Sequence, residues 1–99
     1  MVEFDHTQLD DLIHSRLRLA AMAVLASVER AEFTFLRDQI KATDGNLGAH
    51  LRKLEDAGYV TATKRFAARK PVTDYRITAA GRAAFEAYVQ QLAALTGLK

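Results

Sequence analysis

Leu47, Leu51 and Leu54 stand at i, i+4 and i+7, the spacing of one buried stripe on a helix. Thr43 or Asp44 suits the cap at its start, and Gly58 suits the left-handed residue that ends it. The spacing predicts a helix over 47–57. Opposite the leucines, a helical wheel places Gly45, Asn46, Ala49, Arg52 and Lys53. That face is small and polar at its N-terminal end and basic further along.

Similar periodicity recurs upstream. Leu9, Leu12 and Ile13 predict a helix over 7–14, with Asp5 or Thr7 as its cap. Ser15 offers a second cap, and 16–28 runs without a breaker. Leu17, Ala20, Ala21, Val24, Leu25 and Val28 give that segment the broad apolar face of a central core helix. Residues 32–35 alternate and predict a short extended piece, after which Thr34 can cap a helix over 36–41 with Leu36 and Ile40 inward. Beyond Gly58 the period falls from 3.6 to two. Residues 59–63 and 72–78 read as strands, joined by a basic loop over 64–71 that holds the only proline, Pro71. Thr78 then suits the cap of a last helix over 79–95.

The predicted order is helix, helix, short strand, helix, helix, hairpin, helix. That is the order of a winged helix-turn-helix: mainly α with a small β-hairpin (α+β), a three-helix core and a wing of two to three strands. One domain over 1–99 is expected, with the helix-turn-helix at about 34–57, the wing at about 59–78 and the last helix at about 79–95. Ninety-nine residues suit a single modest core.

Charge changes the picture more than composition does. The net charge is only +2, yet residues 1–40 hold four basic side chains against seven acidic, and 41–82 hold nine basic against four. The positive field belongs to the helix of 47–57 and to the hairpin segment after it, as a polyanion-binding face requires. Cysteine is absent, which removes disulfides and thiolate metal sites. His6, His14 and His50 are poor metal-site material, so neither metal nor cofactor is expected. Gly45 and Gly48 lack the Lys-Ser/Thr of a phosphate loop. Ser15 and Ser27 have no evident His and carboxylate partners, so an enzyme is not expected. No run approaches the ~20 apolar residues of a membrane span, and 1–6 lacks a signal-peptide layout. A cytoplasmic protein is expected.

Three pieces of the chain, in order, resemble small stand-alone winged-helix transcriptional regulators related to the MarR and ArsR groups. Leu12-Ile13-His14-Ser15-Arg16-Leu17-Arg18-Leu19-Ala20 looks like their opening helices. Gly45 to Val60 is similar to their recognition helix running into the wing, and Thr73-Asp74-Tyr75-Arg76-Ile77-Thr78-Ala79-Ala80-Gly81-Arg82 resembles the return strand and the start of the last helix. The match covers about 9–92. It implies sequence-specific binding of double-stranded DNA. One departure is Gly48, where such regulators often carry Ser or Thr with a hydroxyl able to touch phosphate. Glycine there removes that contact, and either lets the helix sit closer to DNA or has no consequence.

The expected DNA-binding residues are Lys41, Thr43, Gly45, Asn46, Gly48, Ala49, His50, Arg52 and Lys53, with Lys64, Arg65, Arg69 and Lys70 on the wing. Asn46 suits adenine, Ala49 a thymine methyl, and Arg52 guanine or phosphate. The ordinary alternative is a solvated face. His50 lies at the rim, equally suited to packing and to phosphate. The wing cations suit backbone or minor groove. Phe85, Tyr88, Val89, Leu92 and Leu95, with Phe4, Leu9 and Ile13, offer a two-fold interface; the alternative is packing on the chain's own core. A homodimeric regulator is the expected function. Its rivals are a winged helix that docks a protein, and a ligand-gated regulator with its pocket at the dimer interface.

Overall fold

Where the central helix begins and ends is set by its neighbours. In the computed structural model, which describes residues 9–97, α1 runs Arg16–Ala26 and buries Ala21, Met22 and Leu25 completely. A short strand β1 (Ala31–Glu32) leads directly into α2 (Phe33–Ile40) and then α3 (Asp44–Asp56). The hairpin β2 (Val60–Ala67) and β3 (Lys70–Ile77) comes next, and α4 (Ala79–Thr96) closes the described chain. The three strands form one antiparallel sheet in the order β1-β3-β2. Leu36, Leu47, Leu51, Leu54 and Val60 meet the α1 residues in a single core. The α+β architecture of three-helix core plus wing is present.

Four local expectations change. Within the described part of 7–14 there is a turn, not a helix: Asp10 accepts from the backbone N–H of Leu12 at 2.9 Å through its side chain, and from Ile13 and His14 through its carbonyl. The same Asp10 carboxylate accepts the Tyr59 hydroxyl at 2.6 Å, which pushes the phenol up to about 12. The turn drops Leu9 and Ile13 into the core. Asp5, His6, Thr7 and Phe4 lie outside the described residues. At the second site, pairing of Ala31 and Glu32 with β3 ends the extended segment early, so α2 starts at Phe33 with Glu32, not Thr34, as its cap. α1 stops at Ala26, short of Val28, where the Ser27 hydroxyl donates to the Val24 carbonyl at 2.8 Å.

The fourth change is in the wing. Most of the expected loop is strand, and the two strands pair in register from Val60↔Ile77 to Ala67↔Lys70. Only Ala68 and Arg69 turn the chain, with φ of 50° and 67°. Two consecutive positive φ values make a type I′ turn, whose twist matches the strands but which favours Asn-Gly. An L-residue other than glycine or asparagine costs roughly 1–2 kcal/mol in that conformation. Ala68→Asn therefore raises stability by about 1 kcal/mol, which thermal denaturation reads as a melting temperature about 4–8 °C higher. An unchanged melting temperature would contradict this turn.

α4 is joined to the end of α3 by a compact knot. The Thr78 hydroxyl accepts from the Gly81 N–H at 2.9 Å and donates to the Gly58 carbonyl at 2.6 Å. The Thr78 N–H donates to the Tyr59 carbonyl at 3.0 Å. Gly58 itself has φ of 81°, the left-handed residue expected after α3. Gly81 lies directly on the Tyr59 backbone, so close that a Cβ would stand 2.1 Å from the Tyr59 carbonyl oxygen.

Candidate nucleic-acid interface

The leucine stripe sets the rotation of α3 and, with it, the composition of the outer face. Leu47, Leu51 and Leu54 are buried, which leaves Gly45, Asn46, Ala49, Arg52 and Lys53 exposed on the other side. Thr43 is the cap: its hydroxyl accepts from the Asn46 N–H at 3.2 Å. Asp44 sits in the first turn, where a carboxylate favours the helix dipole. Arg37 Nη1 donates to it at 2.9 Å and Arg37 Nε to Asp38 at 3.1 Å. The pair with Asp44, then that with Asp38, raises the Arg37 pKa. The acid in the first turn of α3 is thus already matched by a cation. Sequence reasoning gave Arg37 no role; it lies seven positions before Asp44, and only the α2–α3 turn brings them together.

That turn is made by Lys41, which ends α2 with a left-handed φ of 61°. Lys41, Thr43 and Asn46 share a hollow of about 420 Å³ with Arg16, Leu17, Ala20, Ile40 and Ala42. Arg16 is a second residue that the sequence left unassigned. It begins α1, far from the basic segment, and becomes a neighbour of the α3 entrance only in the folded chain. The two glycines of α3 are not demanded by packing, since a Cβ at Gly45 or Gly48 meets no atom within 4 Å.

His50 is half-buried at the rim of the helix and packs against α1. Arg18 Nη1 lies 2.9 Å from its Nδ1, and a guanidinium has no acceptor, so the imidazole accepts. Burial lowers the His50 pKa, with Arg18 and then Lys53 adding to the effect. Arg18 Nε also donates to the Leu12 carbonyl, which fastens the N-terminal turn to α3.

On the wing, the four expected cations separate into two kinds. Arg65 Nε donates to Asp74 Oδ2 at 2.6 Å and its Nη2 to Glu32 Oε2 at 3.3 Å, crossing all three strands. The Asp74 carboxyl is buried in the sheet, and the Arg65 guanidinium beside it holds it below its ordinary 3.8. The stability this pair lends is full above that value and fades as pH falls through the lower native one. Lys64, Arg69 and Lys70 are exposed and form no salt bridge among the described residues. Lys64 borders a cleft of about 380 Å³ between the wing and α3, which Gly48, Arg52, Glu55, Ala62, Thr73 and Tyr75 complete.

A family model described as the winged helix DNA-binding domain matches residues 17–96, from the second residue of α1 to the end of α4. The chain belongs to that family. Among relatives of this winged helix DNA-binding domain, an uncharacterized protein of Methanocaldococcus jannaschii is 35% identical over 85 residues, covering 86% of this chain and 92% of that one. The solved structure of a transcriptional regulator homologue from Pyrococcus horikoshii superposes with a TM-score of 0.81 at 30% identity, covering 87% of this chain and 85% of that one. A PadR family transcriptional regulator from Eggerthella lenta gives 0.70 at 22% identity, covering 83% and 79%, and speaks to the fold alone. The winged-helix resemblance is borne out, and DNA binding in transcription regulation is the business of this family.

The expected two-fold surface needs correction at three positions. Leu9 and Ile13 are core residues, and Tyr88 is 3% exposed with its hydroxyl 2.8 Å from His14 Nδ1. These side chains are already covered by the chain's own packing. Val89 and Leu95 remain exposed on α4, with Phe85 and Leu92 half-buried beside them. No helix among the described residues is long and apolar enough to cross a membrane. No group of three or more His, Asp or Glu among them could hold a metal ion.

Proposed function

We propose that the chain is a sequence-specific regulator that binds double-stranded DNA as a homodimer. The N-terminal half of α3 enters the major groove, where Asn46 and Ala49 read base edges and Arg52 and Lys53 hold phosphates. Lys64, Arg69 and Lys70 lie along the flanking backbone or minor groove. Two copies meet through Phe85, Val89, Leu92 and Leu95 of α4, which sets their recognition helices about one DNA turn, ~34 Å, apart. The observation that carries this reading is the cleft shared by α3 and the wing: Arg52 and Lys64 face it from the two elements, and Gly48 leaves its wall open.

Selection of bound fragments from a genomic library, followed by gel-shift titration, tests it. Enriched sites are expected to be roughly palindromic, and affinity to fall with salt by a log–log slope of about 0.9 per phosphate contact. Asn46→Ala is expected to change the preferred base at one position of each half-site, by about 1–3 kcal/mol of discrimination, with the salt slope unchanged. Absence of binding to any fragment at low salt would overturn the function. Unchanged preference in the variant would remove Asn46 from the reading set.

A further inference from the structure

The hairpin register sorts the wing into two faces of different character. Val60, Ala62, Lys64 and Phe66 of β2 lie opposite Ile77, Tyr75, Thr73 and Pro71 of β3, so these eight residues share one face. Arg65 and Asp74 are on the other, with Glu32. The first face starts in the core, where Val60 is buried, and passes through the cleft, whose lining includes Ala62, Lys64, Thr73 and Tyr75. It ends on Phe66. That ring is 78% exposed, opposite Pro71 and one turn from Arg69 and Lys70.

An exposed phenylalanine forgoes the stabilisation that burial would contribute, and the fold makes no use of this one. Its position is informative. It stands six positions beyond Val60 along the strand, a reach of about 20 Å. Half a turn of duplex, the step from a major groove to the next minor groove, is about 17 Å. With α3 in the major groove, a wing of that reach extends toward the neighbouring minor groove, and Lys64 on the same face, with Arg69 and Lys70 at the turn, brings the charge that a phosphate-lined groove attracts. Apolar side chains placed there enter base steps and kink them.

We propose that Phe66 is a minor-groove wedge that makes the protein select an easily unstacked pyrimidine–purine step flanking the site read by α3. The proposal rests on the DNA-binding reading above. It assigns the wing a part in specificity through deformability, not through base hydrogen bonds.

Selection from a random 30-base-pair duplex library, run in parallel with wild type and Phe66→Ala, tests it. The wild type is expected to enrich a core element and a flanking TA or CA/TG step at fixed distance. The variant is expected to keep the core, lose the flanking preference and bind the wild-type consensus about a hundredfold more weakly, within the range of one lost base–aromatic contact in each half-site. Its salt slope stays the same, because no charge is removed, and its melting temperature stays the same, because the ring is exposed. Phe66→Leu, still an apolar wedge, retains most of the flanking preference. A variant with wild-type flank and affinity overturns the wedge while leaving DNA binding intact. So does a variant whose core preference changes, or one whose only difference is weaker self-association. Failure of the wild type to enrich any core overturns the wedge and the reading beneath it together.

Discussion

Gly81→Ala lowers the melting temperature by about 10–20 °C, the effect of roughly 3 kcal/mol on a domain of this size. The added Cβ would lie 2.1 Å from the Tyr59 carbonyl oxygen and 2.8 Å from its carbon. Both are backbone atoms, so no side chain can rotate away. The clash is relieved only by parting α4 from the end of α3, which weakens the Thr78 bonds to Gly58, Tyr59 and Gly81. The cost lies at the upper end of overpacking, and alanine's better helix propensity, about 1 kcal/mol, offsets part of it. The same exchange at Gly45 or Gly48 meets open space and is expected to raise stability. Circular dichroism melts of the three variants make the comparison; a Gly81→Ala protein that melts with the wild type would refute the close approach.

Removing Lys64, Arg69 and Lys70 together, each to alanine, weakens binding of the proposed dimer to DNA by more than about ten-thousandfold near 0.15 M salt. Three lost phosphate contacts in each copy, six in the dimer, reduce the log–log salt slope by about 5.4, and extrapolation to 1 M brings the two lines together. Sequence preference in α3 stays as it was, because these side chains hold and do not read. Thermal stability is unchanged, since none of the three is in a salt bridge among the described residues. Arg65→Ala is the contrast: it strands the buried Asp74 carboxylate and lowers stability, with little effect on the slope. Fluorescence anisotropy with a labelled duplex over a salt series reads all of this. An undiminished slope in the triple variant would remove the wing from the interface.

The recognition helix was legible because a single requirement, burial of Leu47, Leu51 and Leu54, determines its rotation and hence its outer face. The Thr43 cap and Gly58 stop are local signals of the same kind. What escaped was set by partners distant in the chain. Arg65 reads as one more wing cation until the sheet places Asp74 and Glu32 beside it. The turn after Leu9 has the apolar spacing of a helix, yet Asp10 diverts its first N–H groups and Tyr59 holds that carboxylate in place. The tight wing turn was hidden because Ala68-Arg69 carries none of the residues that favour positive φ. Leu9, Ile13 and Tyr88 looked available to a second copy because periodicity shows that a face is apolar, not what covers it.

The knot at Gly81 also makes the protein a lever. α4 is 18 residues long, about 27 Å at 1.5 Å per residue, and its near end is fastened to the end of α3. In the proposed dimer, a ligand or partner that tilted the far end of α4 by about 10° would displace the recognition helix end by roughly 5 Å, more than the 3.4 Å rise of one base pair. A small change in how two copies meet would then shift the reading heads by a whole base-pair step, with no rearrangement inside either copy.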